Sequence, residues 1–339
     1  MQRAHGGDEG DTTGIPALGR RPKSSLCGVG GEFQKRRYKG AKLRSSLNIG
    51  DFVYTFVVPI PRTLQMSLKN AKVLTISQNI HPFTDGSGMA KATRQLPQGI
   101  LEKGNEIRVF MPKFGSINER RHQLHEVIRL SGMNLIINDT DHALLIKVAS
   151  VPSARMQVYF IDNEEYFKRK ATIEDDDEVF FPDNDERALF FCRGVLETVR
   201  KLGWRPDIIH CHGWMTAFIP LYVRHFFNDD PHFEDAKIVF SAYDDKPEAL
   251  DKELPKKLAM EGFDKTLLKG LGKCTTDDLL KFAMGMSDAL VKGSPKLSRS
   301  MDTAIKAMDK PLLTYSKDAD ERLDAHLEFY QSVMEEALV

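Results

Sequence analysis

The stretch Pro206–Thr216, "PDIIHCHGWMT", decides the fold. Its apolar pair Ile208-Ile209 runs into His210, Cys211 and His212, and then into Gly213, Trp214 and Met215. An apolar segment that turns polar at its end is the mark of a buried parallel strand reaching its C-terminal edge. Open α/β sheets bind ligands outside that edge. The two histidines and the tryptophan are therefore candidate site residues. Alternate residues of a strand share a face, which puts His210 and His212 together.

Working outward, "AKVLTIS" (71–77) and "NEIRVFMPKF" (105–114) read as strands on either side of an amphipathic helix, "MAKATRQLPQGILEKG" (89–104). That order is a βαβ unit. Pro97 predicts a bend or an early turn in the helix, and Gly104 its end. "HEVIRL", "MNLIIN", "ALLIKVA" and "MQVYFID" follow with little helix between them and predict a β-rich extension of the sheet. A long helix opens in "DNDERALFFCRGVLETVRKLGW", where Asp183 and Glu186 stand at capping-box spacing. Leu189, Val195, Leu196, Val199 and Leu202 give it an apolar stripe, and Gly203 fits its end. After "DIIHCH" come helix "WMTAFIPLYVRHFF", strand "AKIVFSAY", helices near 248–258 and 276–286, strand "ALVKG" and a last helix from Asp318. The alternation predicts a Rossmann-like, doubly wound, mostly parallel sheet with helices on both faces.

The bulk numbers bound the function. With 41% apolar and 28% charged residues among 339, the chain can bury a sizeable core under a charged surface. Its formal net charge is zero, which predicts no general attraction to nucleic acid or to an anionic membrane. Residues 1–65 carry 11 Lys/Arg against 5 Asp/Glu, leaving 37 against 43 in the rest of a chain with 48 of each. Ten of the 24 glycines also fall in 1–65, which reads as a disordered leader, or as an upstream extension with Met66 the natural start. "FVYTFVVPI", Phe52–Ile60, is too short to span a bilayer. Cys27, Cys192, Cys211 and Cys274 form no CxxC pair and read as reduced thiols of a cytoplasmic protein.

Three segments in order carry a resemblance. "KNAKVLTISQNIHPFTDGSGMAKATRQLPQGILEKGNEIRVFMPKF" (69–114) gives strand, glycine loop, helix, strand and "MP". "EVFFPDNDERALFFCRGVLETVRKLGWRPDIIHCHGWMTAFIPLYV" (178–223) and "DLLKFAMGMSDALVKGSP" (278–295) complete it. Together they resemble the N-terminal half of glycogen and starch synthases, over about residues 70–297. Such enzymes have the two-domain GT-B architecture and move glucose from a nucleotide sugar to the 4-hydroxyl of an α-glucan. The resemblance implies a domain over 66–310, followed by a C-terminal helical segment, 311–339, packed on it.

The resemblance also assigns residues. The family's glycine loop reads Lys-x-Gly-Gly; here Asp85 stands at the lysine, Ser87 at the first glycine, and Gly86 and Gly88 surround it. Lys91 falls beyond the loop, on the helix. The family's His-x-His-Asp-Trp-His becomes His210-Cys211-His212-Gly213-Trp214-Met215, so its aspartate is Gly213 and its last histidine Met215. A thioether is only a weak acceptor and cannot replace an imidazole against developing charge. The Thr-Ile-His-Asn that follows a later strand appears as Ser241-Ala242-Tyr243-Asp244. Asp183, Asn184 and Arg187 match a polar family motif, with Asp183 also a helix cap. Candidate ligand-binding residues are thus Gly86, Gly88, Arg187, His210, His212, Trp214 and Tyr243, while the catalytic positions fall on Asp85, Gly213 and Met215.

His210 and His212 with His142 would give three metal ligands, but no diagnostic spacing supports them, and the family needs neither metal nor cofactor. "EDDDE" (174–178) lacks the EF-hand register and reads as a solvated loop. "TDGSGMAKA" lacks the GxGxxG spacing of a nucleotide-dependent oxidoreductase. Two readings remain. One is a storage-glucan glycosyltransferase domain, inactive by itself and completed by a protein supplying a GT-B C-terminal domain. The other is a non-catalytic subunit that binds α-glucan or a partner synthase.

Overall fold

The computed structural model describes residues 70–335 apart from Asp85, together with strands β1 (Lys35–Arg36), β2 (Lys42–Ile49) and β3 (Phe52–Pro59). The chain divides into two compact units, 1–66 and 67–339. In the first, β1, β2 and β3 form an antiparallel sheet, with Ile49 opposite Phe52 and Lys42 opposite Pro59. The sequence reading expected no regular structure there. The missed signal is local: two eight-residue strands are separated by Gly50-Asp51, the two-residue spacing of a tight hairpin. The expected start at Met66 lies outside the described residues.

The second unit carries β4 (Lys72–Ser77), β5 (Glu106–Pro112), β6 (His125–Glu126), β7 (Met133–Ile137), β8 (Thr140–Val151), β9 (Met156–Asp162), β10 (Ile208–His212), β11 (Lys237–Ala242), β12 (Ala289–Lys292) and β13 (Leu312–Leu313). They form one mixed sheet in the order β13-β12-β11-β10-β4-β5-β9-β8-β6, with β7 also paired to β8. β13 through β9 run parallel. β8 turns antiparallel and carries β6 and β7, which is the β-rich extension. Every residue of β10 is buried, as a central strand covered on both faces requires.

The helices are α1 (Gly88–Glu102), α2 (Glu119–His122), α3 (Glu164–Phe167), α4 (Asn184–Lys201), α5 (Phe218–Leu221), α6 (Leu254–Met260), α7 (Lys265–Leu268), α8 (Thr276–Met286), α9 (Arg299–Ala307) and α10 (Ala319–Glu335). Ser87 caps α1 by accepting from the Ala90 N–H at 3.1 Å. The helix runs through Pro97 to Glu102, where the sequence predicted a bend or an early turn, and Gly104 follows at φ +87°. "HEVIRL" yields only the two residues of β6, because the Leu130 N–H turns back onto the Val127 carbonyl at 2.9 Å. The single helix expected over 214–227 is a 3-10 turn at Trp214–Thr216, then α5, then a π-helical turn at Tyr222–Phe226.

The predicted capping box at α4 does not form. Asp183 makes no side-chain cap and pairs instead with Arg169. Glu186 accepts from the Tyr166 hydroxyl at 3.0 Å and meets Lys257 at 2.8 Å. Lys257 also reaches Asp185 at 2.8 Å and Asp251 at 2.7 Å, tying α6 to the start of α4. Tertiary partners have outcompeted the local cap.

At the other end, α10 lies along α1. Leu323 packs so tightly on Gly99 that a Cβ there would come within 2.4 Å of it. Arg322 donates to Gln95 at 2.8 Å, and α10 buries His326, Leu327, Tyr330 and Val333. The sheet itself continues past residue 310, since β13 pairs with β12.

Candidate functional site

β4 and β10 are neighbours at the centre of the sheet, with β5 beyond one and β11 beyond the other. Here the strand order reverses, and the C-terminal ends open a crevice. Gln78, just past β4, accepts the Met215 N–H at 3.0 Å. The Cys192 thiol donates to the Met215 carbonyl at 3.1 Å. Gly213 sits at φ +81°, and a Cβ on it would lie 2.7 Å from the Met89 methyl and 2.8 Å from the Gln78 oxygen. Met215 is fully buried, and Trp214 packs on Phe180 with ring centres 5.4 Å apart. The crevice floor is closed, and its groups are an amide, two thioethers and an indole.

His210 and His212 do share a face, with ring centres 3.9 Å apart. His210 Nδ1 pairs with the Tyr330 hydroxyl at 2.6 Å and Nε2 with Ser241 Oγ at 2.7 Å. His212 Nδ1 pairs with the Tyr243 hydroxyl at 2.9 Å. Tyr243 can lie there only because Gly293 has no side chain; a Cβ would come within 2.6 Å of the ring. Burial, then the neighbouring imidazoles His212 and His326, drive His210 well below the ordinary histidine range. Burial and His326 take His212 down to about 3, and burial takes His326 to about 4. All three rings are neutral at pH 7.

Other candidates land elsewhere. Arg187 is a correction: it is wholly buried, donates to the Tyr166 carbonyl at 2.8 Å and to Asn184 at 2.5 Å, and is ringed by Phe114, Phe167 and Phe181. A guanidinium held this way cannot reach a ligand. Asp85 lies outside the described residues. Gly86 and Gly88 flank the start of α1, and the stem of Lys91 reaches back to within 3.5 Å of where a Gly86 Cβ would be. His142 is engaged by Tyr166 at 3.0 Å and Glu165 at 2.7 Å. In the acidic run, Asp175 accepts the N–H groups of Asp177 and Val179 at 3.0 and 2.9 Å, closing its own loop.

Residues 72–310 match the family model described as the starch synthase catalytic domain. The chain belongs to that family. It is 40% identical over 183 residues to a glycogen synthase of Chlorobium phaeobacteroides, covering 52% of this chain and 37% of that protein. With a glycogen synthase of Chlorobaculum tepidum it shares 36% identity over 262 residues, 71% of this chain and 51% of the relative. It thus spans about half or less of the length of these relatives. The catalytic domain of starch synthase IV from Arabidopsis thaliana, solved bound to ADP and acarbose, matches 73% of this chain and 51% of its own with TM-score 0.60 at 18% identity. That likeness confirms the fold, the N-terminal half of a GT-B architecture.

In this starch synthase-family chain, sequence reasoning missed the contribution of α10. Arg322, His326 and Tyr330 reach the ends of β10, β11 and β12, and no local signal links residue 330 to residue 210. It also missed a cavity of about 630 Å³, lined by Met133, Ile136, Arg193, Phe226, Met260 and Glu261 among others. That cavity shares no residue with the crevice. Arg193 covers the Phe226 ring at 3.7 Å, and the Tyr222 hydroxyl donates to Glu261 at 2.7 Å.

Glu261 makes stability depend on pH. Burial, opposed by Tyr222 and Arg193, raises its carboxyl from 4.5 to about 7. Between those values the folded chain holds a proton that the unfolded chain has released. The stability gained by holding that proton is complete below about pH 4.5. It is lost as pH rises to about 7, by at most about 1.4 kcal/mol per pH unit. The thermal midpoint is expected to decline across that window in the native chain. Glu261→Gln should flatten that part of the profile, and an unchanged slope would refute the assignment.

Proposed function

We propose that these 339 residues form the N-terminal half of a glucosyltransferase site acting on an α-glucan with a nucleotide sugar, and that they do not transfer glucose by themselves. The observation that carries this reading is the closed crevice floor: Gly213 and Met215 are locked by Gln78, Met89 and Cys192 where the reaction needs charge and hydrogen bonds. Losing one preorganised electrostatic partner costs about 3–4 kcal/mol, or roughly a hundred- to thousandfold in rate. In a two-domain cleft the second domain also excludes water, and preorganised dipoles act most strongly in a dry site. A GT-B C-terminal domain, elsewhere on the polypeptide or on another chain, would complete the site.

The same floor favours a second reading, a non-catalytic subunit that binds glucan or a partner synthase. The assay for both is incorporation of labelled glucose into glycogen, with a complete synthase as positive control. The isolated chain should give no incorporation above background. A signal that appears only on adding a GT-B C-terminal domain supports the transferase, and none with any such domain supports the subunit. Robust incorporation by the chain alone would overturn both.

A further inference from the structure

A cavity of about 90 Å³ lies between α1, α10 and the C-terminal ends of β10, β11 and β12. His212, Tyr243, Ser294, Tyr315, Arg322 and Gly88 are on its wall, and among the described residues no aspartate or glutamate lines it. Lys292, also on the wall, is paired with Asp302 at 2.5 Å. Arg322 has no carboxylate partner among the described residues; its guanidinium donates to Gln95 at 2.8 Å and to the Ser316 carbonyl at 3.4 Å. Gly88 opens the fifteen-residue α1, whose positive end adds to the local field.

The hydrogen-bond chain behind this wall has a direction. Tyr330 is fully buried, and among the described residues its hydroxyl meets only His210 Nδ1. A buried O–H left without an acceptor is costly, so Tyr330 donates. His210 then carries its proton on Nε2 and donates to Ser241. Tyr243 is buried too, and among the described residues its hydroxyl bonds His212 Nδ1, so by the same argument it donates there. This leaves the His212 proton on Nε2. Among the described residues that nitrogen has no partner, in a residue only 2% exposed. The reverse polarity would strand the Tyr330 proton instead. This polarity gives both tyrosine hydroxyls an acceptor and leaves the His212 Nε2–H facing none among the described residues, and His212 lines the cavity.

We propose that this cavity is an oxoanion site that takes a single phosphate group, held by the Arg322 guanidinium and the His212 Nε2–H with help from the Ser294 hydroxyl. Ser294 Oγ already accepts the Asp244 N–H at 3.2 Å, so its own proton is free to donate. The volume suits one phosphate group. Arg322 belongs to α10, so the ligand would also fasten that helix over the sheet edge. The site goes beyond the transferase reading and does not rest on it.

The test uses the full chain. Inorganic phosphate, glucose 1-phosphate and ADP are titrated calorimetrically at constant ionic strength, and the ring nitrogens of 15N-histidine-labelled protein are followed in parallel. Saturable 1:1 binding is expected, with a shift of one buried Nε2–H resonance. Arg322 is only partly buried, so Arg322→Gln should keep the unliganded thermal midpoint. It should weaken binding by at least about tenfold, the size of one charge-assisted hydrogen bond, and Arg322→Lys should recover part of the loss. Tighter binding of an ester than of phosphate assigns the site to a phosphate carried on a larger ligand; the opposite order assigns it to free phosphate. Absence of binding and of the histidine shift with all three, or binding undiminished in Arg322→Gln, would overturn the proposal whatever the glucose-incorporation assay gives.

Discussion

Lys257→Met is expected to lower the thermal midpoint by about 10 °C. Lys257 is 8% exposed and faces three carboxylates, of which Asp185 is completely buried. Burial pushes the Asp185 carboxyl up while Lys257 pulls it down. Removing the ammonium leaves a buried, uncompensated charge, which costs about 3–5 kcal/mol. For a unit of this size each kcal/mol moves the midpoint by about 2–4 °C. Adding Asp185→Asn should recover part of the loss, because the unpaired charge is then gone. The defect should also shrink in acid, where Asp185 takes up a proton in the folded variant. Calorimetric midpoints of the two singles and the double, read at two pH values, check this. A double variant no better than Lys257→Met alone would mean that the ion cluster is not the cause.

Placing at Gly213 the aspartate that the family resemblance implies is expected to damage the protein and not to revive it. The backbone there, φ +81° and ψ 168°, belongs to a region essentially reserved for glycine, and the Cβ would drive into Gln78 and Met89. Strain of about 1–3 kcal/mol and overpacking of about 1–3 kcal/mol together predict a loss of roughly 5–15 °C in the midpoint. Gln78 is also the acceptor for the Met215 N–H, so displacing it loosens the floor. Met215→His would bury an imidazole where the side chain has no hydrogen-bond partner among the described residues. Glucose incorporation by the Gly213→Asp, Met215→His double variant should stay at background. A stable, active double variant would show that the crevice is only two side chains from a working site.

The sequence by itself determined the sheet and the place of the crevice. β4, β5, β7, β9, β10, β11 and β12 all fall within segments read as strands, and β8 overruns its segment at both ends, because a strand's apolar pattern is local. It also placed His210 and His212 on one face, since side-chain alternation is built into extended backbone. Tertiary structure decided what that face does. Asp183 and Glu186 had capping-box spacing yet went to Arg169, Tyr166 and Lys257, because charge-assisted bonds in a half-dry interior outweigh a local cap. Arg187 sat in a polar motif yet was swallowed by three phenylalanines. The polarity of the His212 chain rests on Tyr330, 120 positions from His210, and the cavity's cation on Arg322. Periodicity reads neighbours along the chain; which distant helix closes over a sheet edge is settled only when surfaces meet and buried donors must find acceptors.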